Sequence, residues 1–405
     1  MKILLHDFAN YAFIRQLAES LADRGHDVTF AFNSTYPGPN RLNSECVSGN
    51  GRIQSLPLDP GVQLTDKKPF VQRLKMERSY ANVLLRYCES QRFDRIISAD
   101  TPSLIQSKLS KMAERHKVPF VSWVQDLYGY AALKILKKKI PFVGSLIGNY
   151  FIKLDEASIR RSHATVVITD QFIPFMKKLG VRDEALNVVE NWAPINRIPV
   201  QEKANDWSRR IGLNDSFRFV YTGTLAMKHN PSLLVELAKA LHVSTNNFGS
   251  SNLQPSAEVV LVSSGEGARY VQEQAERLGL PNLRCLGFQP EKDFPSILGS
   301  ADVLLAILEE EAGQFSVPSK VLSYFCAARP ILASIPSENL AARTIRKAQA
   351  GLTVSPGNTE EFINAAIEMR AEQEKRSQWG MAGRAYAETA FDIEQITDKF
   401  EAILH

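Results

Sequence analysis

The sequence predicts an α/β protein made of two doubly wound, Rossmann-like domains facing each other across a cleft. Three observations lead there. Short apolar runs alternate with segments of helical apolar spacing along nearly the whole chain, the grammar of parallel sheets covered by helices. The alternation fades once, from Ile195 to Ser216, and then restarts. The 405-residue length, 44% hydrophobic and 23% charged, suits two ordinary folded domains rather than one.

Taken in order, Lys2–Leu5 reads as a buried strand. Tyr11–Arg24 carries Phe13, Ile14, Leu17 and Leu21 at helical spacing, and Val28–Phe32 is the next strand. The first strand-to-helix loop, Asp7–Asn10, lacks G-x-G-x-x-G, so no dinucleotide fingerprint is present. Thr35–Asp66 is rich in turn formers, with a strand-like piece at Arg52–Leu56, and Lys67–Ser90 is a long helix. Strands are expected at Arg95–Ala99, Pro119–Val124, Ala164–Ile168 and Leu186–Glu190, with helices over Leu104–His116, Leu154–His163 and Gln171–Leu179. Residues 1–195 are the expected first domain, and 196–216 the linker. Residues 217–384 are the second domain, and a helical tail at 385–405 packs back on the first. The second domain has strands at Phe217–Tyr221, Val259–Val262, Leu283–Leu286, Val303–Leu308, Ile331–Ser334 and Gly351–Val354.

Cys46, Cys88, Cys285 and Cys326 have no ligand-like spacing, and no Asp-x-Asp or His cluster appears, so a metal site is not expected. The net charge of +4 does not require nucleic acid; it suits a phosphate-bearing substrate or an anionic membrane surface. No run reaches the roughly 18 apolar residues of a membrane span, and the N-terminus starts a strand rather than a signal peptide, so a cytoplasmic protein is expected. Leu133–Ile152 mixes Lys134, Lys137, Lys138 and Lys139 with apolar residues. It reads either as a peripheral contact with an anionic inner membrane or as a buried helix with a solvated lysine turn.

Ligand loops should lie at the carboxyl ends of the strands. The most informative is Phe315–Pro330, between two apolar runs. Pro318 suits a first helical turn, and Ser316, Ser319 and Lys320 cluster there as an anion seat, though Ser and Pro also serve plain capping. In the loop from Tyr221 to Pro231, Gly223 allows close approach of backbone to ligand, while Lys228 and His229 offer positive charge. Ser263–Gly267, with Gly265 and Glu266, is a tight turn able to pack beside a nucleoside. Phe288, in Leu286–Pro290, can wall a base pocket. Glu309–Glu311 can bind sugar hydroxyls or remain solvated surface charge. In the first half, Asp126 ends a strand; it either orients an acceptor hydroxyl as a base or caps a helix. His6 and Asp7 are further cleft candidates.

The ordered series G-T-L-A-M-K-H-N-P, V-L-V-S-S-G-E-G, L-R-C-L-G-F-Q-P, S-A-D-V-L-L-A-I-L and V-P-S-K-V-L-S-Y-F-C-A-A-R-P-I-L resembles retaining glycosyltransferases of the GT-B fold, family 4. The pieces R-G-H-D-V-T, H-A-T-V-V-I-T-D and V-V-E-N-W-A-P match as well. The V-P-S-K form and Q-D-L-Y are similar to the fucosyl- and N-acetylfucosaminyl-transferase branch of surface polysaccharide assembly. The resemblance implies a nucleoside-diphosphate sugar of UDP or GDP type as donor, no cofactor or metal, and a glycan or lipid-diphosphate-linked acceptor. It implies that Lys228 or His229 holds the donor diphosphate, in the loop of Gly223 and Thr224. The backbone of Phe315, Ser316, Val317 and Pro318 would contact donor sugar or phosphates, with Ser319 and Lys320 at the same site. Gly265–Gly267 and Gly287–Gln289 would border the nucleoside, so that Glu266, Phe288 and Gln289 fall there. Asp126 occupies the region where many relatives place a catalytic-site His. Two departures stand out. The family's E-x7-E pair is broken, its second position being Ser323 and its first having only Glu310 or Glu311 as stand-ins. The usual Arg after the glycine of the phosphate loop is Thr224. The lost pair also suits a non-catalytic GT-B subunit that binds sugar nucleotide. A non-hydrolysing sugar-nucleotide 2-epimerase shares the fold but would want more ionisable residues at the cleft.

Overall fold

In the computed structural model, residues 1–35, 49, 51–62, 70–213, 215–247, 256–313 and 317–405 are described, without the side chains at 139, 228, 243–247 and 312. The chain divides into two compact units, Met1–Asn191 with Asp392–His405, and Trp192–Phe391.

The first unit opens with strand β1 (Lys2–Asp7), helix α1 (Ala12–Asp23), β2 (Asp27–Asn33) and β3 (Arg52–Leu58). It continues with α2 (Phe70–Ser90), β4 (Arg95–Ala99), α3 (Ser103–Arg115), β5 (Phe120–Val124), α4 (Tyr128–Lys139) and α5 (Pro141–Arg161). β6 (Ala164–Val167), α6 (Ile173–Lys178) and β7 (Leu186–Val188) complete it. The sheet order is β3-β2-β1-β4-β5-β6-β7, every described pairing parallel. A wholly parallel sheet is covered on both faces, which is why β1, β4 and β5 read as mostly apolar runs. On α1 the predicted stripe of Phe13, Ile14, Leu17 and Leu21 is buried.

The second unit comprises α7 (Asp206–Arg210), β8 (Phe217–Thr222), α8 (Ser232–Asn247), β9 (Ala257–Val262), α9 (Glu266–Leu278), β10 (Leu283–Leu286), α10 (Phe294–Gly299) and β11 (Val303–Ile307). It ends with α11 (Glu310–Gly313), α12 (Lys320–Cys326), β12 (Ile331–Ser334), α13 (Leu340–Lys347), β13 (Gly351–Val354), α14 (Thr359–Ala371) and α15 (Gln373–Ala390). Its parallel sheet runs β10-β9-β8-β11-β12-β13. In both sheets the strand order reverses beside the unit's first strand, between β1 and β4 and between β8 and β11. Crevices at the carboxyl ends of the strands open at such switch points.

The final helix α16 (Ile393–Leu404) packs on α1 in the first unit. Thr397 donates to Ser20 at 2.9 Å, and Arg24 reaches Glu394, Asp398 and Glu401 at 2.8, 2.6 and 2.6 Å. Residues 385–391, expected to travel with this tail, belong instead to the second unit.

The expected linker at 196–216 is also corrected: it folds within the second unit. Trp207 is buried there, Asn205 and Ser208 form a reciprocal cap on α7, and the Asn205 amide donates to the Ser296 carbonyl at 2.7 Å. Polar composition hid a segment held by hydrogen bonds rather than by an apolar stripe. Cys88 and Cys326 are buried and unbridged, as core residues.

Candidate active site

In the second unit, the loops after β8, β9 and β11 and the start of α12 come together at the switch point. β8 ends at Thr222, and Gly223 takes φ +93°, a region L side chains avoid. Its N–H donates to the Val262 carbonyl at 3.1 Å, and its own carbonyl accepts from Ser263 Oγ at 2.6 Å. Leu225 N–H donates to Ser264 at 3.1 Å, and Gly267 N–H to Leu225 at 2.9 Å. The two loops are thus zipped together by main chain. A Cβ on Gly267 would sit 2.8 Å from the Leu225 carbonyl oxygen, and one on Gly265 3.0 Å. The small residues there close loop on loop, a structural use the sequence reading did not separate from nucleoside contact. Glu266 and Thr224 are exposed.

Lys320 enters this corner from the first residue of α12. Its stem is half-exposed, but its Nζ is buried with no hydrogen-bond partner among the described residues. The ammonium lies 3.5 Å from the Tyr221 ring centroid and 3.8 Å from where a Gly223 side chain would begin. Burial pushes its pKa well below the usual lysine value. An unpaired buried ammonium is costly, and an anion is what would satisfy it. The expected helix-start anion seat is corrected in part. α12 has only seven residues, Pro318 precedes it, and Ser319 at its N-cap is exposed and makes no side-chain cap hydrogen bond. Positive charge here therefore comes more from Lys320 than from a helix dipole.

Val317 and Ser323 are half-buried beside this corner. Phe315 and Ser316 lie outside the described residues, as does the Lys228 side chain. His229 accepts the Ala226 N–H through Nδ1 at 3.3 Å, which closes the turn and puts the ring proton on Nε2. Phe288 is exposed, and Gln289 accepts from Trp207 Nε1 at 3.3 Å, which holds the loop after β10 to α7. Glu310 and Glu311 are exposed, whereas Glu309 keeps its Oε1 buried without a partner among the described residues. Glu309 directly follows β11 and its next residue, so the strand-end rule points to it over its two neighbours.

In the first unit, His6 and Asp7 are corrected as ligand candidates. His6 is fully buried: Nε2 meets Tyr80 Oη at 3.0 Å, and Nδ1 lies 3.1 Å from Ser98 Oγ and 3.0 Å from Thr101 Oγ1. Burial lowers its pKa to about 3, so it is neutral. Asp7 accepts the N–H groups of Ala9 and Tyr11 at the start of α1, and burial, then the Asp100 charge, raise its pKa. Both side chains are consumed by the scaffold.

Asp126, two residues past β5, is half-buried and lines a small pocket with Gln106, Ser122, Tyr128 and Asp155. Sequence reasoning missed Asp100 and Asp155. Asp100 directly follows β4 at φ +41° and accepts from Tyr128 Oη at 2.6 Å; burial, then the Asp126 charge, raise its pKa to about 7. Asp155 accepts the Gly129 N–H at 2.9 Å, and burial raises it to about 6. Applying the strand-end rule to β4 as well as β5 would have found Asp100. Asp155 sits inside a helix and gives no such cue. Among the described residues, no group of three ligand-type side chains is placed to hold a metal ion.

Residues 12–192 match the family model described as "Glycosyl transferase 4-like domain", and residues 216–372 match "Glycosyl transferases group 1". Together they cover most of both units, and the chain belongs to the glycosyltransferases these two domains define. Its fold is GT-B. Similar solved structures include the sucrose-phosphate synthase of Thermosynechococcus elongatus (TM-score 0.73, 14% identity, covering 100% of this chain and 98% of that one). Anabaena HepE, solved in complex with UDP-glucose, gives TM-score 0.67 at 15% identity, covering 100% and 99%. The α,α-trehalose 6-phosphate synthase of Burkholderia multivorans gives 0.66 at 11%, covering 100% and 98%. No curated protein sequence matches the chain.

Proposed function

We propose that the protein transfers a sugar, with retention at the anomeric carbon, from a nucleoside-diphosphate sugar of UDP or GDP type to a glycan or lipid-diphosphate-linked acceptor in surface polysaccharide synthesis, at the cytoplasmic face of a membrane. The observation that carries this is the buried Nζ of Lys320 beside Gly223, without a hydrogen-bond partner among the described residues. The leaving group develops negative charge on a diphosphate, and a preorganised cation in a desolvated corner lowers the barrier to that charge. Gly223 leaves room for phosphate oxygens against the backbone, and Lys228 is placed by sequence in the same loop. Glu309 is the carboxylate suited to accept donor sugar hydroxyls, in the place of the broken E-x7-E pair. Asp126 and Asp100 are assigned to the acceptor, where a shared proton would let one accept a hydroxyl hydrogen as it attacks. On this reading Lys320, Lys228 and backbone N–H groups answer the diphosphate charge, and no metal is needed.

The test is sugar transfer and release from a panel of UDP- and GDP-sugars with a lipid-diphosphate acceptor, with and without EDTA, for native protein and Lys320→Ala. Turnover that persists in EDTA and is lost in the variant supports the reading. Tight nucleotide binding without turnover on any donor favours a non-catalytic sugar-nucleotide-binding subunit instead. Ser323 and Thr224, where the family pattern has Glu and Arg, are the observations on that second side.

A further inference from the structure

The helices α4 and α5 meet through small residues and leave several large apolar residues exposed. α5 packs on α4 through Gly144 and Gly148, one turn apart on a single face. A Cβ on Gly144 would lie 2.1 Å from the Leu136 carbonyl oxygen, and one on Gly148 2.4 Å from Leu133 Cα. The helices therefore touch backbone to backbone. The turn between them is only Ile140, followed by Pro141 at the first position of α5. On the outer side Phe142 is 82% exposed and Leu146 63%, joined by Ile135, Ile140, Val143 and Tyr150. An ordinary surface helix does the reverse, burying its large apolar face. A contiguous exposed patch of this kind marks an interaction surface.

Charge identifies the occupant. Residues 127–154 contain five lysines and no Asp or Glu. Lys134, Lys137 and Lys138 are exposed beside the apolar patch. The nearest acids on α5 are engaged elsewhere: Asp155 accepts the Gly129 N–H, and Glu156 pairs with Arg160 at 2.6 Å. A second copy docking by the same face would set lysine against lysine. An anionic surface removes that repulsion, while aliphatic and aromatic tips enter the headgroup boundary and lysine stems reach back to phosphates.

We infer that the α4–α5 tip is a docking surface for an anionic lipid bilayer, with Phe142 and Leu146 as the inserting side chains. The inference deepens the lipid-linked acceptor of the proposed function and rests on that reading for its purpose. Among the described residues no helix is long and apolar enough to cross a membrane, so contact through this tip would be peripheral.

The experiment is flotation of the full chain, without nucleotide sugar, on vesicles of phosphatidylcholine alone or with phosphatidylglycerol at about one lipid in three, at low and high salt. Binding is expected to the anionic vesicles and to weaken with salt. Lys134→Gln/Lys137→Gln/Lys138→Gln should weaken it roughly 100-fold, at about 5-fold per lysine. Phe142→Ser/Leu146→Ser should weaken it roughly tenfold or more, with circular dichroism and Tm unchanged because both sites are exposed. The inference is overturned if the native chain stays off anionic vesicles at low salt, or if the Phe142→Ser/Leu146→Ser variant floats as native does. It is equally overturned, in favour of a second copy, if sedimentation shows a dimer that this variant dissolves while vesicles bind nothing. Transfer to a soluble acceptor is measured in parallel. Lost vesicle binding with intact transfer sinks the docking surface alone, and lost transfer with intact vesicle binding sinks the transferase reading alone.

Discussion

The Nζ of Lys320 stands 3.5 Å above the Tyr221 ring, with that ring as its one described partner. Tyr221 is the penultimate residue of β8, and its ring is fully buried in the core. A cation over a ring face recovers about 0.5–2 kcal/mol, less than the several kcal/mol that removing an ammonium from water costs. The residue is therefore a local burden on the fold when no anion is bound. Lys320→Met should raise the stability of the nucleotide-free protein by about 1–3 kcal/mol while weakening UDP or GDP binding roughly 100-fold. Thermal unfolding and calorimetric titration on the same preparations check both halves; a variant that is less stable and binds normally would make the lysine structural.

The same residue predicts how binding depends on pH. Its pKa is held low in the empty site by burial, and a diphosphate beside it raises that pKa, so binding takes up a proton. Between the empty-site and nucleotide-bound pKa values of Lys320, affinity should fall as pH rises, by up to about one log unit per pH unit. Titrations in buffers of different ionisation enthalpy should show the uptake in native protein and lose it in Lys320→Met.

Two glycines of the phosphate corner separate conformation from contact. Gly223→Ala meets nothing closer than 3.8 Å but is forced to φ +93°. It should cost about 1–2 kcal/mol of stability and more than that in nucleotide affinity, because its methyl points at Lys320. Gly267→Ala puts a methyl 2.8 Å from the Leu225 carbonyl oxygen, so it should lower stability and, by parting the two loops, affinity in proportion. Melting temperatures set against Kd for the two variants distinguish these patterns.

Asp100 and Asp126 give a second pH signature in the first unit. Burial and the Asp126 charge raise Asp100 to about 7. A carboxyl with a folded pKa above its unfolded value near 4 stabilises the fold fully below about pH 4, and that contribution is lost as pH rises through about 7. Asp100→Asn should flatten the decline between those values and leave the protein more stable at pH 8, by a few kcal/mol at most. Asp126→Asn removes the repelling charge and should move the Asp100 titration downward. Carboxyl-carbon NMR of the native protein and both variants measures this directly.

Sequence and structure agree where a single physical cause writes the pattern. The central strands coincide with predicted apolar runs, since parallel strands buried on both faces are mostly apolar, whereas the edge strands β3 and β7 are more polar and more exposed. The switch-point loops follow from that order. Agreement ends where polar residues choose among partners. His6 at the end of β1 and Asp126 past β5 look alike in sequence, yet one is spent on Tyr80, Ser98 and Thr101 and the other lines a pocket. The segment 196–216 looked like a tether because Asn205 and Ser208 hold it through caps, which leave no periodic trace. Lys320 was legible as a charge at a helix start, but its isolation over Tyr221 depends on β8 and α12 meeting, a contact distant in sequence.

Helix α16 belongs to the first unit although it is distant from that unit's other elements in sequence. Phe400 is fully buried, its ring centroid 4.6 Å from that of Trp123 on β5, the strand that leads to Asp126. Arg24 and His26, just past α1, grip the same helix through Glu394, Asp398 and Glu401. Removing a buried ring leaves a cavity against a central strand, so Phe400→Ala should cost about 3–5 kcal/mol. Arg24→Ala removes partly exposed ion pairs and should cost only about 1 kcal/mol. If burial dominates, the order of loss is Phe400→Ala well beyond Arg24→Ala, the Arg24→Ala loss shrinks further in high salt, and the Phe400→Ala loss does not. Because Trp123 lies beneath the acceptor candidates, Phe400→Ala should also raise the acceptor KM while leaving nucleotide affinity in the second unit unchanged. Denaturant unfolding followed by Trp fluorescence, with donor and acceptor saturation curves, tests the pair. Equal losses for the two variants would show that charge rather than packing holds the C-terminal helix.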